Sequence, residues 1–270
     1  MRFLHFLFLH RTHLQALGAL GVMPASPAAG TEFVPAFSHR TIAFGAPGTP
    51  DAAVVRLTEA PLAECFGLRT WVSSQILATH LHEHIARYRH PRQVTRVLEL
   101  GAGTGLPGLL LHELGASVVL TDAENEPGVL ANLRGVCETL NENAPKDNHD
   151  DAEKARATHL TWGTLDKHAL ALASERFHVV LGADVLYAKA RDFDKLFATV
   201  SLLLRRGGEN DKHKNENDFV PLFVTAYKHR ASHVSIESGL RTHKLRVREQ
   251  WRYPGEKGAT VDVVEIVLGE

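Results

Sequence analysis

Apolar and polar positions follow two different patterns along the chain. Short, nearly continuous apolar runs predict buried strands, and apolar residues three or four positions apart predict helices. The predicted strands are 41–44, 53–58, 94–100, 116–122, 159–163, 177–183, 220–226, 244–252 and 260–268. The predicted helices are 72–88, one that begins near Pro107, 128–140, 193–204 and a short one within 229–240. The first two strands suit a small hairpin. The other seven alternate with helices until a final adjacent pair, which predicts a Rossmann-like, doubly wound α/β fold with a seven-stranded, mostly parallel sheet and an antiparallel edge strand.

The rest of the chain is polar or unusual in composition. Residues 1–31 hold no acidic residue and carry a short apolar run that a histidine interrupts. We therefore predict an N-terminal extension over residues 1–35, disordered or acting as a targeting segment, and a mitochondrial presequence stays open. Residues 36–270 form the predicted domain, in which 141–158 and 205–218 are solvent-exposed insertions.

Composition limits the partners and the compartment. The 270 residues are 44% hydrophobic and 23% charged, with a formal net charge of −1 and an isoelectric point near 7.0. This balance gives no general attraction to nucleic acid or to an anionic membrane, and no stretch reaches the roughly 18 apolar residues of a membrane span. Two cysteines, Cys65 and Cys137, suit a reducing compartment. We expect a monomer in the cytoplasm or nucleus that binds neither nucleic acid nor membrane.

Three glycines follow the strand that ends at residue 100 and precede the next helix. Gly101, Gly103 and Gly105 allow a sharp turn and a close approach to a ligand, because they have no Cβ. A dinucleotide fingerprint needs glycine at the sixth place of this turn, where the chain has Leu106. Glu99 puts a carboxylate at the mouth of the turn, which suits a cationic amino-acid head better than a pyrophosphate. The pattern therefore disfavours a nicotinamide-dependent oxidoreductase.

An acidic residue ends the next predicted strand. Asp122 follows Gly103 at the spacing at which doubly wound folds place a carboxylate to accept hydrogen bonds from both ribose hydroxyls. The alternative is that Asp122 only caps the following helix. Because the acid comes after a glycine turn, ribose binding is the favoured interpretation.

One predicted helix carries a pattern that also occurs in zinc proteases. His80, Glu83 and His84 match H-x-x-E-H, in which two histidines share a helix face and a glutamate acts as base. Both histidines lie beside apolar positions, and the sequence supplies no third ligand at a recognisable spacing. We therefore expect an ordinary half-buried helix and no metal.

Five motifs occur in order along the chain. They are Thr70-Trp71, Leu98-Glu-Leu-Gly-Ala-Gly-Thr-Gly-Leu-Pro-Gly108, Leu120-Thr-Asp122, Trp162-Gly163 and Leu181-Gly-Ala-Asp-Val-Leu-Tyr187. Together they resemble the seven-stranded, S-adenosylmethionine (SAM)-dependent methyltransferases of the methyltransferase-like family, also called lysine methyltransferase family 16. The resemblance covers about residues 70–227. It implies a class I methyltransferase fold, SAM as cofactor and a protein substrate.

The resemblance also implies which residues line the cofactor pocket. Carried over position by position, they are Trp71, Gly101, Ala102, Gly103, Asp122, Trp162 and Ala183. Glu99 joins this set through its charge. Physical chemistry agrees for Trp162, because adenine favours a flat aromatic partner. Simple core packing is the alternative for both tryptophans.

Asp184 and Tyr187 match the Asp-x-x-Tyr arrangement that the family places beside the nitrogen to be methylated. A lysine amine has a pKa near 10.4, so removing its proton at pH 7 costs about 4 kcal/mol, and an arginine costs about 7 kcal/mol or more. We therefore expect Asp184 to orient or deprotonate the acceptor nitrogen and Tyr187 to shape its slot. The alternative is that Asp184 caps the following turn.

The identity of the acceptor depends on the resemblance. It implies a protein lysine or arginine, with a histone as one candidate. A small-molecule N-methyltransferase remains an alternative, since a slot shaped by Tyr187 could take a free amine. A non-catalytic SAM-binding module, which keeps the turn but modifies nothing, is another.

Overall fold

The computed structural model describes residues 37–61, 65–143, 154–186, 190–208, 219–228 and 236–269. The predicted extension over residues 1–35 lies outside the described residues, as do Tyr187 and most of the two predicted insertions. What the sequence predicts for these parts therefore stays a prediction.

A hairpin precedes the main sheet, as the sequence predicts. Its strands are β1 (Ser38–Phe44) and β2 (Ala53–Glu59), and they pair antiparallel. Alternate residues of β2, such as Val55 and Leu57, are buried in the core that lies beneath the first helices. The hairpin is therefore attached to the domain by one apolar face.

The main sheet has the predicted seven strands. They are β3 (Arg96–Leu100), β4 (Ser117–Asp122), β5 (Ala155–His159), β6 (Val179–Ala183), β7 (Leu222–Lys228), β8 (Leu245–Pro254) and β9 (Thr260–Leu268). Their order is β5-β4-β3-β6-β7-β9-β8. Strands β3 to β7 run parallel, and β9 pairs antiparallel with both β7 and β8. The predicted fold class is confirmed.

Helices cover both faces of this sheet. They are α1 (Val72–Glu83), α2 (Ile85–Tyr88), α3 (Leu106–Glu113), α4 (Pro127–Asn143), α5 (Lys167–Ala173), α6 (Ala190–Gly208) and α7 (Ile236–Thr242). Alternate strand residues enter different cores: Val97 packs with α1, α3 and α4, whereas Leu98 packs with α5, α6 and α7. Burial on both faces explains why these strands read as continuous apolar runs. None of the helices in the described ranges is long and apolar enough to cross a membrane.

Two predicted elements are wrong in their boundaries. The third strand of the main sheet covers 155–159 and not 159–163, so Trp162 follows the strand in a turn. Strand β5 is at the edge of the sheet and pairs only with β4. Because an edge strand can keep polar residues, its sequence does not read as an apolar run. The predicted helix 72–88 is interrupted at His84, whose φ of −116° and ψ of 27° are not helical.

Candidate active site

The glycine turn lies at the carboxyl edge of the sheet, where β3, β4 and β6 end side by side. Gly101 and Gly103 have φ of 58° and 56°, a region that favours glycine. A Cβ at Gly101 would lie 3.2 Å from a methyl carbon of Val185 and 3.3 Å from the Trp162 ring. A Cβ at Gly103 would lie 2.7 Å from the carbonyl oxygen of Gly67. The turn therefore requires glycine for conformation and for space.

Asp122 is joined to the glycine turn by a hydrogen bond. Its Oδ2 accepts from the backbone N–H of Gly103 at 2.9 Å, and its Oδ1 accepts from Ala123 at 2.8 Å. Burial raises the pKa of this carboxyl, and the two backbone donors act in the opposite direction. Each carboxylate oxygen keeps a second lone pair for a ligand hydroxyl. The alternative in which Asp122 only caps the next helix is wrong, because α4 begins at Pro127.

Trp162 lies against the same turn. Its ring is the neighbour of Gly101 noted above, and it is half-buried beside the core on the α5 and α6 side. Leu160 N–H donates to the carbonyl of Asp122 at 2.9 Å, which fixes the segment that carries the tryptophan. The ring therefore has one packed side and some exposed surface at the turn.

Two alanines complete the backbone of this edge. Ala102 is nearly buried, and its N–H donates to the carbonyl of Thr121 at 2.9 Å. Ala183 ends β6, where it is half-buried and lies opposite Ala226 in the sheet register. Both small residues keep the strand ends open, since neither side chain extends beyond a methyl group.

Trp71 stands directly before α1 and is 38% exposed, so simple core packing does not describe it. Its ring stacks on Phe66 with centroids 6.0 Å apart, and the Arg69 guanidinium carbon lies 5.6 Å from its centroid. The hydroxyls of Thr70 and Thr104 are 3.1 Å apart, which ties this segment to the glycine turn. The structure thus brings Trp71 to the same edge as Asp122 and Trp162.

Glu99 occupies a different place from the one that its charge suggests. The prediction of a carboxylate at the open mouth of the turn is wrong, because the residue is 1% exposed. Its Oε2 accepts from the N–H of Gly108 at 2.8 Å, in the first turn of α3. Burial raises the pKa of this carboxyl to about 8, a value lowered by the Gly108 bond and raised by Asp122. Glu99 therefore fixes the start of α3, and its direct contact with a cofactor stays a prediction.

Asp184 follows β6 in the left-handed region, with φ of 55°. Aspartate tolerates this conformation better than most residues because its short side chain bonds locally. Its N–H donates to the carbonyl of Ala226 at 2.7 Å, which holds the bend between two strand ends. Asp184 is thus half-buried at the same carboxyl edge as the glycine turn, whereas its predicted partner Tyr187 lies outside the described residues.

The zinc-protease interpretation of the first helix is wrong for His80. This residue is fully buried, and its Nδ1 and Nε2 lie 2.6 Å and 2.7 Å from the hydroxyls of Tyr253 and Tyr88. Burial lowers the pKa of His80 to about 4, with His84 as the next cause. Across the part of the chain that the structure describes, no three side chains are grouped to hold a metal ion. His80 joins α1 to the edge strand β8.

Sequence reasoning missed the contacts that hold the segment before α1, although Thr70 and Thr104 lie within its motifs. Glu59, Thr70 and Thr104 anchor it through hydrogen bonds, and Phe66 and Arg69 contact Trp71. These pairs are distant in sequence and fit no fixed spacing. The signals in the sequence were the Thr70-Trp71 motif and a glycine at position 67 beside Phe66.

The family of the chain follows from comparison with known proteins. A family model described as lysine methyltransferase matches residues 51–230, which is more than half of the chain. The chain belongs to the lysine methyltransferase family. Histone-arginine methyltransferase METTL23 of Xenopus laevis is 30% identical over 73% of this chain and 72% of that protein. Protein-lysine methyltransferase METTL21E of Mus musculus is 30% identical over 63% of this chain and 66% of that protein.

Solved structures give weaker likenesses. The magnesium protoporphyrin IX methyltransferase ChlM of Synechocystis with bound SAM has a TM-score of 0.49 and 12% identity, covering 73% of this chain and 79% of that chain. The glycopeptide N-methyltransferase MtfA has a TM-score of 0.48 and 17% identity, covering 71% and 90%. The fold assignment rests on the sheet order and not on these alignments.

Membership in the lysine methyltransferase family makes the chain a SAM-dependent methyltransferase and removes the oxidoreductase alternative. The site fits this cofactor. Its glycine turn would be filled by a Cβ, a carboxylate lies at the turn, and an indole ring borders it. These groups suit a backbone approach, a ribose and an adenine respectively.

Proposed function

We propose that this enzyme methylates a side-chain nitrogen of lysine or arginine in a protein substrate. The observation that carries the proposal is the position of Asp184, which lies at the carboxyl edge that also holds Asp122 and the glycine turn. In parallel α/β sheets, ligands bind at this edge. A carboxylate there suits a cationic acceptor nitrogen.

One group of residues binds the cofactor, and another acts on the acceptor. Asp122 accepts hydrogen bonds from the ribose, Trp162 packs on adenine, and the turn at Gly101 and Gly103 lets the backbone approach the cofactor. Trp71, Ala102 and Ala183 border the same pocket, and Glu99 supports it from beneath α3. When bound, SAM supplies a methyl group on a sulfonium sulfur.

Asp184 acts on the acceptor. A lysine must lose a proton before its nitrogen can attack, at a cost of about 4 kcal/mol at pH 7. A carboxylate beside the nitrogen can accept this proton as a general base, and it stabilises the positive charge that develops on the nitrogen during the attack. Tyr187 shapes the slot for the nitrogen, as the Asp-x-x-Tyr motif suggests.

The names of the relatives support the proposed types of acceptor residue. METTL23 is named a histone-arginine methyltransferase and METTL21E a protein-lysine methyltransferase. We therefore propose both residue types, with a histone among the candidate substrates. We further propose that the enzyme acts as a monomer in the cytoplasm or nucleus, without binding nucleic acid.

Tritium-labelled SAM and a protein array test the proposal. The wild-type enzyme should label a small set of array proteins, and amino-acid analysis should find the label on lysine or arginine. Asp184→Ala should abolish labelling while SAM affinity, measured by calorimetry, stays within about threefold of wild type. Asp122→Ala should weaken SAM binding itself.

Three results would contradict parts of this proposal. Full turnover by Asp184→Ala would remove Asp184 from catalysis. Label found only in the small-molecule fraction of a cell extract would favour a small-molecule acceptor. SAM binding without any transfer to array or extract would favour a non-catalytic binding module.

A further inference from the structure

Residues 66–71, called the rim segment below, lie directly against the glycine turn. The carbonyl oxygen of Gly67 is the atom that a Cβ at Gly103 would meet at 2.7 Å. The hydroxyls of Thr70 and Thr104 are buried and 3.1 Å apart. Arg69 lies between these two contacts in the chain, so its backbone belongs to the border of the cofactor site.

The rim segment is held in place by the hairpin and by α1. Ala60 N–H donates to the carbonyl of Leu68 at 2.9 Å, and Thr70 N–H donates to Oε1 of Glu59 at 3.2 Å. The amide of Gln75 donates to the carbonyl of Thr70 at 3.5 Å. Anchors on both sides of residue 69 fix its backbone before any ligand arrives, which lowers the entropy cost of using its side chain.

The Arg69 side chain lies over an aromatic pair at the surface. Its guanidinium carbon is 5.6 Å from the Trp71 centroid, a cation–π distance, and Trp71 stacks on Phe66. Phe66 is 67% exposed, and Arg69 is exposed as well. Among the described residues, Arg69 has no hydrogen bond or ion pair. The carboxylate of Glu59 lies nearby in the network, yet it is directed to Arg40 at 3.7 Å and to Thr70.

We propose that the guanidinium of Arg69 binds the carboxylate of the methionine part of SAM. This inference rests on SAM occupying the glycine turn, and it adds a residue that neither the motifs nor the comparisons assign. SAM carries one carboxylate, and the described residues that form the glycine turn and contact it offer carboxylates, an indole and backbone groups but no side-chain cation. Arg69 supplies the missing charge from a fixed backbone at the border of the site.

Arginine suits this task because its planar fork forms two parallel hydrogen bonds with a carboxylate. Such bonds to charged groups typically change binding by about tenfold to a hundredfold. The contact with Trp71 helps to fix the orientation of the guanidinium plane. A lysine at this position should supply the positive charge but not the two parallel hydrogen bonds of the planar guanidinium.

A cycle of two ligands and two side chains tests the inference. Calorimetry measures the affinities of the full chain and of Arg69→Met for SAM and for decarboxylated SAM, which lacks only the carboxylate. We expect Arg69→Met to bind SAM at least tenfold more weakly than wild type and to bind decarboxylated SAM as well as wild type does. Arg69→Lys should recover part of the loss. Arg241→Met is the matched control, since Arg241 is an exposed arginine on α7, which packs on the other face of the sheet.

Each contrary result has one meaning. If wild type binds SAM and Arg69→Met binds it equally well, the inference is wrong while the cofactor site stands. Equal weakening of both ligands would mean that Arg69 shapes the border and does not bind a carboxylate. Unchanged SAM affinity with a raised KM for a protein substrate would assign Arg69 to acidic residues of the acceptor. If wild type binds neither ligand, the cofactor site and the inference both fail.

Discussion

The buried carboxyl of Glu99 should give this enzyme a contribution to stability that is lost as pH rises. Glu99 is 1% exposed, and burial raises its pKa to about 8, above the ordinary 4.5. Between these two values the folded chain holds a proton that the unfolded chain has lost. The folded state therefore binds more protons, and stability decreases with pH in this window. The stabilisation is complete below pH 4.5 and is lost as pH passes 8.

The size of the effect follows from the two pKa values. A single group loses up to about 1.4 kcal/mol per pH unit, and for a folded pKa of about 8 the loss between pH 6 and 8 is about 2 kcal/mol. His80 and His178 act in the opposite direction, since burial lowers their pKa values to about 4 and about 3. Their unfolded forms take up protons below about pH 6.5, so stability from this source rises with pH.

Glu99→Gln separates these contributions. Glutamine keeps a carbonyl oxygen for the Gly108 N–H and cannot ionise, whereas both histidines are unchanged. Urea unfolding of the cofactor-free protein at pH 6, 7 and 8 should show wild type losing about 2 kcal/mol more than the variant across this range. Glu113→Gln, at an exposed position of the same helix, is the control and should follow wild type.

Parallel pH profiles for wild type and Glu99→Gln would refute the reasoning, because they would mean that Glu99 is ionised in the folded state at pH 6. The outcome also concerns the cofactor. A protonated Glu99 offers no negative charge to the ammonium group of SAM. If wild type shows the expected loss of stability with pH, the role that remains for Glu99 is its hydrogen bond to the start of α3.

Three further predictions concern the turn and the first helix. Gly103→Ala should weaken SAM binding at least tenfold in calorimetry, because its Cβ would meet the Gly67 carbonyl. Gly115→Ala is its control, with φ of 90° and nothing within 4 Å, and equal losses in both would contradict the steric reason. Asp122→Ala should reduce SAM affinity about tenfold or more, and an unchanged affinity would remove the ribose contact. His80→Leu should lower the free energy of unfolding in urea by about 2 kcal/mol or more, since two tyrosine hydroxyls lose a partner. An unchanged unfolding midpoint would show that these bonds contribute little.

The central strands could be predicted because they are buried on both faces. Val179–Ala183 and Thr260–Leu268 read as apolar runs, and the structure has strands there. The edge strand Ala155–His159 could not be predicted in this way, because its single sheet neighbour leaves polar residues in contact with solvent. The apolar criterion instead selected the stretch around Trp162, which is packed by the adjoining core and not by strand pairing.

The candidate site was predictable where both partners in a bond belong to motifs at a recurring spacing. Asp122 and Gly103 belong to motifs at a recurring spacing, and they meet at 2.9 Å. The burial of Glu99 was not predicted although Glu99 and Gly108 share one motif, because the charge of Glu99 suggested an open position and the motif does not show that Glu99 accepts from the Gly108 N–H. The anchors of the rim segment come from the hairpin, so only the folded chain reveals them.

The hairpin has a consequence for where the working enzyme begins. A chain shortened to start at residue 66, the first residue of the rim segment, would keep every strand of the main sheet, along with the glycine turn and Asp122. It would lose Glu59 and Ala60, and with them the bonds that fix Leu68 and Thr70. The hairpin therefore belongs to the smallest unit that we expect to methylate, although it contributes no strand to the main sheet.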